Sequence, residues 1–202
     1  FQLLVSRPVV IGPVLGALMG NLPAGLAVGA ALELLWLNAP PVGAYLPKDE
    51  SFCAAAVTPA AVLGAAYLPV ASAAGLALFV GLPLSLVGRQ LDTHLRKLNQ
   101  DLVPSGVEDI ERTVGQAMAK ALGRSLLYGL AALAISSALL CTAVVLLAQR
   151  LPAQAATALS FLPMASVAIG LAGLVARDLP RPGKAGLFIL GAVFLLVLTW
   201  IR

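Results

Sequence analysis

The chain has 202 residues, of which 60% are hydrophobic and 11% are charged, and its mean hydropathy is +0.96. Soluble domains carry about 25% charged residues, so this composition excludes a soluble protein and predicts an integral membrane protein with about five to seven crossings of ~20 residues each. The net charge of +4 is not gathered into a basic cluster interleaved with aromatic residues, so we predict no nucleic-acid partner.

The first apolar segment runs from Pro8 to Leu32 without a charge and ends directly at Glu33. Its length suits a transmembrane helix. Helix-disfavouring residues recur along it, however: Gly12, Pro13, Gly16, Gly20, Pro23, Gly25 and Gly29. Irregular backbone at membrane depth is tolerated only where protein buries it or water lines it. We therefore predict short, discontinuous helices around a polar cavity.

Glu33 is the leading candidate for a functional residue, because a carboxylate inside so apolar a segment is costly in lipid. Asn38, Asp49 and Glu50 follow within a stretch rich in Pro and Gly. Carboxylate and amide groups can pair with each hydroxyl of a sugar, so we predict these four residues to bind substrate. Two alternatives stay open. A protonated Glu33 could be a structural hydrogen-bond donor, and Lys48-Asp49-Glu50 could be a solvated loop.

The other candidates carry weaker signals. Arg7, just before Pro8, is either a charge at the membrane boundary or part of the site. His94 lies on an amphipathic stretch with no glycine-rich or acidic setting, which favours a surface residue over a phosphoryl carrier. Cys53 and Cys141 have no Cys or His partners at short spacing, so we predict buried thiols and no metal. No nucleophile–base pair or phosphate loop is recognisable, and we predict no catalytic residue and no cofactor.

The next apolar run, Ser51 to Val87, is too long for one crossing at about 1.5 Å per residue. We predict that Pro69 and Pro83 divide it into two spans, or into one span and a hairpin. An amphipathic helix follows, with a leucine stripe at spacings of four, three and four: Leu91, Leu95, Leu98 and Leu102. A second helix is predicted to start at Ser105, which forms a capping-box pattern with Glu108.

Charge density divides the chain into three predicted regions. Residues 1–88 form a core region with discontinuous membrane helices and the substrate pocket. Residues 89–124 are dense in charge and form a cytoplasmic amphipathic segment, because basic residues mark the cytoplasmic side. Residues 125–202 hold the transmembrane helices of a scaffold, including a run interrupted at Pro152 and Pro163 and a last apolar run, Ala185 to Ile201.

Several motifs of the front region resemble the IIC subunits of the mannose/fructose/sorbose phosphotransferase system. The resemblance covers about residues 1 to 60 most strongly and is compatible in layout to the end. It is carried by Phe1 to Pro8 with Arg7-Pro8, then Gly12, Leu15-Gly16 and Gly20-Asn21, then Gly25-x-x-x-Gly29-x-x-x-Glu33-Leu34, Pro41-x-Gly43-Ala44 and Pro47-x-Asp49. Glu33 matches the signature glutamate of these proteins, and Asp49 matches their Pro-x-Asp aspartate.

The resemblance implies an all-α, multi-pass protein of the bacterial inner membrane that translocates a hexose of the mannose/fructose/sorbose class. It implies a IID membrane subunit as partner in an oligomeric complex. It also implies cytoplasmic IIA and IIB proteins that relay phosphate from phosphoenolpyruvate, so that IIB phosphorylates the arriving sugar. Members are thought to slide a core domain against a scaffold, and the subunit itself carries no phosphorylated residue. Because the chain opens on Phe1 rather than Met, we expect its natural start to be missing.

The sequence therefore predicts a membrane permease subunit of a phosphoenolpyruvate-dependent sugar phosphotransferase system. Two alternatives remain at this point. In an ion-coupled small-solute transporter, Glu33 would cycle a proton and uptake would need no phosphoenolpyruvate. In a non-transporting regulatory membrane subunit, no sugar would bind and replacement of Glu33 would be tolerated.

Overall fold

The structure, a computed structural model, describes residues 4–36, 48–102 and 110–177, and these ranges contain helices and no strand. A short 3-10 helix (Leu4–Ser6) comes first. The α-helices are α1 (Pro8–Leu18), α2 (Leu22–Trp36), α3 (Glu50–Gly64), α4 (Val70–Gly81), α5 (Leu84–Gln100), α6 (Ile110–Arg150), α7 (Ala153–Ser160) and α8 (Leu162–Arg177). The prediction of an all-α membrane protein with interrupted helices in its first half is confirmed.

α1 and α2 form a tight helical hairpin. Pro8 occupies the first turn of α1, where its missing N–H costs nothing, and Gly20 turns the chain with φ +79°. The two helices pack glycine against glycine. A Cβ atom at Gly12 would lie 2.5 Å from the carbonyl oxygen of Gly25 and 2.7 Å from the Cα of Gly29. The glycines that weaken each helix in isolation thus allow the two backbones to touch.

α3 and α4 form a second hairpin, and α3 lies at the centre of the packed helices. Its buried side chains are mostly small, which brings the neighbouring helices close. They pack with residues of α2, α4 and α6 in one apolar core that includes Val28, Leu32, Val57, Leu78 and Val144. The front half is therefore a compact block of four short helices rather than a row of full-length spans.

Pro69 and Pro83 divide the second apolar run, as the sequence predicted, and each stands directly before a helix. Pro69 is the N-cap residue of α4, and Pro83 is that of α5. α4 and α5 meet at Pro83 with a bend of 42°. At the break, the carbonyl oxygen of Leu82 accepts from both the backbone N–H of Ser85 at 3.2 Å and the Ser85 hydroxyl at 2.8 Å.

Two stretches in the described part of the chain are long and apolar enough to cross a membrane, Thr113–Arg150 and Ala153–Gly173, and the bent α4–α5 pair would make a third. α1, α2 and α3 have 11 to 15 residues, or about 16–22 Å, against ~30 Å of hydrocarbon. The described residues thus hold fewer full spans than the apolar content suggested, because many of the apolar residues lie in short paired helices.

α5 carries three leucines of the predicted stripe, Leu91, Leu95 and Leu98, of which Leu95 is buried. The fourth, Leu102, lies in the turn after the helix. α6 is one helix of 41 residues that joins the charged stretch to the apolar one. In its first half, Arg124 donates to the carbonyl oxygen of Leu98 on α5 at 3.0 Å. The predicted capping box at Ser105 and Glu108 and the last apolar run, residues 185–201, lie outside the described ranges.

Candidate functional site

The ionisable residues of the front half meet at one end of the two hairpins. Arg7 precedes α1, Glu33 lies in the last turn of α2, and Glu50 is the first residue of α3. Because α1 and α2 are antiparallel, the start of one helix and the end of the other share this end. The start of α3 is adjacent, so residues separated by 26 and 43 positions in sequence become neighbours.

Arg7 bridges the two glutamates. Its Nη1 lies 3.3 Å from Glu33 Oε1 and 3.4 Å from Glu50 Oε1. The exposed fractions of the side chains are 41% for Arg7, 16% for Glu33 and 27% for Glu50. We call these three residues the Arg7 cluster. Both contacts are at the long end of the hydrogen-bond range, so the guanidinium holds the carboxylates together without a tight bidentate pair, and water or a polar ligand can reach it.

The second oxygen of Glu33 faces the start of α1. Glu33 Oε2 accepts a hydrogen bond of 3.4 Å from the backbone N–H of Val9, one of the groups with no partner inside its helix. A carboxylate is also favoured near the positive end of the helix dipole. Glu33 is therefore held by a cation on one oxygen and by a helix start on the other.

The Glu50 carboxyl is less favourably placed. Its partial burial raises the pKa of Glu50, the Arg7 charge lowers it, and the charges of Glu33 and Asp49 raise it further. The net direction is upward. The cluster thus combines two carboxyl groups of similar chemistry in different surroundings, one stabilised by a helix start and one partly desolvated beside other acids.

Asp49 lies beside the cluster, but its side chain is used differently. Its Oδ1 accepts from the backbone N–H of Phe52 at 2.9 Å, which makes Asp49 the N-cap of α3. Its own N–H donates to the carbonyl oxygen of Ser85 at 3.1 Å. The next hydroxyl along the chain, that of Ser51, donates to the carbonyl oxygen of Ser6 at 2.6 Å.

Of the four residues predicted to bind substrate, the structure brings Glu33 and Glu50 together, sets Asp49 next to them, and does not describe Asn38. The sequence left two interpretations of Arg7 open, and the structure places it between the glutamates. The contact of Ser6 with Ser51 had no sequence signal. The signal for Arg7 was present, since an arginine directly before the proline of a membrane segment stands next to a helix start.

The remaining polar candidates lie elsewhere. His94 is exposed on α5, as predicted for a surface residue. Cys53 is buried, and its Sγ lies 3.6 Å from the carbonyl oxygen of Gly81. Within the described ranges, no group of three or more His, Cys, Asp or Glu side chains is arranged to hold a metal ion.

Comparison with known proteins bears on the whole chain. A curated protein of Escherichia coli (strain K12), provisionally named N-acetylgalactosamine permease IIC component 2, is 38% identical over 45 residues. That match covers 22% of this chain and 34% of the relative, so the chain spans about a third of the length of the curated relative it matches. The family model described as the sorbose-specific IIC component of the phosphotransferase system matches residues 1–200. The resemblance seen in the front motifs is thus confirmed, and the chain belongs to this IIC family.

Proposed function

We propose that this protein is the permease subunit of a phosphoenolpyruvate-dependent sugar phosphotransferase system, and that it translocates a hexose of the mannose/fructose/sorbose class. Membership of the IIC family over residues 1–200 supports this proposal. The helical, apolar architecture is compatible with it. The protein contributes the passage for the sugar, and the phosphoryl group comes from elsewhere.

The single observation that carries the choice of site is the Arg7 cluster, a cation shared by two carboxylates at the ends of interrupted helices. Carboxylate oxygens accept hydrogen bonds from sugar hydroxyls, and a guanidinium donates to them. In our proposal, Glu33 and Glu50 bind hydroxyls together with Asn38, and Arg7 donates to the same sugar. Asp49 orders the start of α3 beside them.

Binding in this way exchanges one set of polar partners for another. Without sugar, the Arg7 guanidinium compensates the two carboxylates. A hydroxyl that donates to Glu33 and accepts from Arg7 can enter between them, because the existing contacts are long and Arg7 is partly exposed. A buried polar site that pairs each hydroxyl discriminates strongly against analogues that lack one. The helix starts at α1 and α3 add oriented backbone dipoles, as at transporter sites built on broken helices.

The partners follow from the same proposal. The subunit works in an oligomeric complex with a IID membrane subunit in a bacterial inner membrane, which it crosses several times. IIA and IIB act on the cytoplasmic side, where IIB phosphorylates the sugar. Residues 1–88 form the core that holds the sugar, residues 89–124 face the cytoplasm and offer IIB a docking surface, and residues 125–202 belong to the scaffold. The dense charge of residues 89–124 supports their cytoplasmic placement.

The test replaces Glu33 by Gln in vesicles that contain this chain with IID, IIA and IIB. Uptake of labelled mannose, fructose, sorbose and N-acetylgalactosamine is measured with and without phosphoenolpyruvate. We expect phosphoenolpyruvate-dependent uptake of one or more sugars by the parent, and a loss of about tenfold or more in Glu33→Gln, since the amide cannot accept as the carboxylate does. The control is Thr142→Val, an exposed polar side chain on α6 that lies outside residues 89–124 and donates to the Ala138 carbonyl oxygen of its own helix.

Three outcomes would contradict the proposal. Unchanged uptake in Glu33→Gln would remove Glu33 from the site. Uptake that needs a proton gradient but no phosphoenolpyruvate would indicate an ion-coupled carrier. Absence of sugar binding by the parent, together with a tolerated Glu33→Ala, would indicate a non-transporting regulatory subunit.

A further inference from the structure

Three consecutive residues at the start of α3 contact three different parts of the molecule. Asp49 contacts α5, Glu50 contacts Arg7, and the Ser51 hydroxyl donates to the carbonyl oxygen of Ser6. Residues 49–51, which we call the α3 junction, are therefore fixed on three sides. A shift of the backbone at any one of these residues therefore displaces the contacts of the other two.

Asp49 packs closely against α5 at Gly88, where the absence of a side chain leaves room for it. A Cβ atom at Gly88 would lie 2.6 Å from the Cβ of Asp49 and 3.0 Å from its Cγ and Oδ2. Real Cβ atoms do not approach so closely, so α5 can rest on Asp49 only because position 88 is glycine. One turn earlier, the Asp49 N–H donates to the Ser85 carbonyl oxygen. Asp49 thus touches two successive turns of α5.

α5 can transmit a movement of Asp49 outward. It begins directly after the 42° bend at Pro83, a proline break that interrupts the backbone ladder between α4 and α5. Its far end contacts α6 through Arg124 and the Leu98 carbonyl oxygen. A continuous series of contacts therefore leads from the Arg7 cluster through Asp49 and α5 to α6.

We propose that Asp49 is a positioning residue that couples the Arg7 cluster to α5 across Gly88. Its carboxylate caps α3 and packs on α5, and it reaches the sugar only through Glu50. This proposal rests on the proposed function for the identity of the ligand. When a sugar hydroxyl replaces Arg7 as a partner of Glu50, the α3 junction shifts and α5 moves with Asp49.

The first test needs no sugar. Amide hydrogen exchange is measured over residues 84–90 in the purified complex for Arg7→Met, Asp49→Ala and the double variant. We expect each single variant to speed exchange by about fivefold or more. We expect the double variant to add little to Asp49→Ala, because the coupling already runs through Asp49. Gly123→Ala, on an open face of α6, is the control and should match the parent.

Two results of this experiment would overturn the proposal. In the first, Arg7→Met leaves exchange over residues 84–90 at the parent rate, which would mean that the cluster does not act on α5. Alternatively, the effects of the two variants could multiply, and Asp49 would then only cap α3.

The second test exchanges the side chains across the contact. Gly88→Ala should lower uptake about tenfold or more, because the added methyl group meets Asp49. The pair Asp49→Gly with Gly88→Ala restores space, and glycine at an N-cap is only slightly less favourable than aspartate. We expect the pair to recover at least about half of the uptake that Gly88→Ala loses. The control is Gly129→Ala, a position on α6 outside residues 89–124 where no atom would lie within 4 Å of the added Cβ.

The outcomes of this second test are distinct from a failure of the proposed function. A tolerated Gly88→Ala, or a folded pair that transports no better than Gly88→Ala, would overturn the positioning role and would leave Asp49 only as the N-cap of α3. If the parent takes up none of the four sugars, the proposed function fails, and the exchange experiment still decides the coupling. If Gly88→Ala does not fold, the hydrogen-exchange experiment alone decides whether Asp49 couples the Arg7 cluster to α5.

Discussion

Arg7 is the residue on which the proposed site depends, since it is the described cation that contacts Glu33 and Glu50 together. Its removal leaves two partly buried carboxylates facing each other without compensation. Ion pairs that retain this much exposure contribute modestly to stability, and the repulsion left behind adds to the loss. The effect of Arg7 on folding should therefore be small but measurable.

We predict that Arg7→Met lowers the free energy of unfolding by about 1 kcal/mol, seen as a lower thermal midpoint of the detergent-purified protein. Arg96→Met is the control, because Arg96 pairs with Asp92 at 2.9 Å on the exposed side of α5, and its loss should cost under about 0.5 kcal/mol. Equal shifts in the two variants would mean that the cluster is no more than a surface ion pair.

Sequence alone singled out the glutamates but not their common partner. Glu33 stood out because a charge interrupts a long apolar run, and that signal is local. The meeting of Arg7 with Glu33 and Glu50 depends on how two hairpins pack, across separations of 26 and 43 residues. The same reason explains Asp49. Its match to a family motif indicated importance, whereas its use as an N-cap against α5 depends on where Ser85 and Gly88 come to lie.

At the level of helices, the glycine contacts between α1 and α2 set how closely the first hairpin packs. Gly25 and Gly29 present bare backbone to Gly12, and the neighbouring atoms are backbone atoms that cannot rotate away. In lipid, close backbone approach of this kind replaces the hydrophobic effect as a source of helix association. The hairpin in turn holds Arg7 and Glu33 at the same end.

We predict that Gly12→Ala destabilises the protein by about 1–3 kcal/mol or prevents folding, because its Cβ would lie 2.5 Å from the Gly25 carbonyl oxygen. The matched control is again Gly123→Ala, where no atom would lie within 4 Å of the added Cβ. That change should be neutral or stabilising by up to about 1 kcal/mol, from helix propensity. Thermal unfolding in detergent compares the two. Similar midpoints for both variants would show that the hairpin is loosely packed.

Helix boundaries were predictable where proline sets them. Pro69 and Pro83 divide the second apolar run as the sequence indicated, because a missing backbone N–H acts locally. The continuity of α6 was less evident. The sequence changes from charged to apolar near residue 124, yet no proline interrupts residues 110–150, and isolated glycines do not end a helix. Composition changes at that point while backbone structure does not.

For the whole molecule, α6 must extend beyond the hydrocarbon layer. Its 41 residues measure about 61 Å, twice the ~30 Å of the bilayer core. The uncharged part from Ser125 to Gln149 suits the bilayer, and the earlier part carries Lys120 and Arg124. The first part of α6 therefore lies in the aqueous phase or at the membrane surface. Arg124, at the end of this part, contacts the last turns of α5 through the Leu98 carbonyl oxygen.

We predict that, in a background with Cys53→Ala and Cys141→Ala, Lys120→Cys reacts with a membrane-impermeant maleimide and Ile135→Cys does not, because water is excluded from the bilayer core. Comparison of intact cells with inverted vesicles gives the side, and reaction in inverted vesicles alone would support the cytoplasmic placement of residues 89–124. Equal labelling at both positions would exclude the assignment of residues 125–149 to the bilayer.

An uninterrupted rod of this length also acts as a lever. With no break between its aqueous start and its apolar end, α6 cannot tilt within the lipid without swinging its outer turns. A 10° rotation about one end displaces the other by about 10 Å over ~61 Å of helix. When the helix rotates slightly among its neighbours in the bilayer, its outer turns move the farthest. A protein bound to those turns would therefore be displaced by more than any part of the helix inside the bilayer.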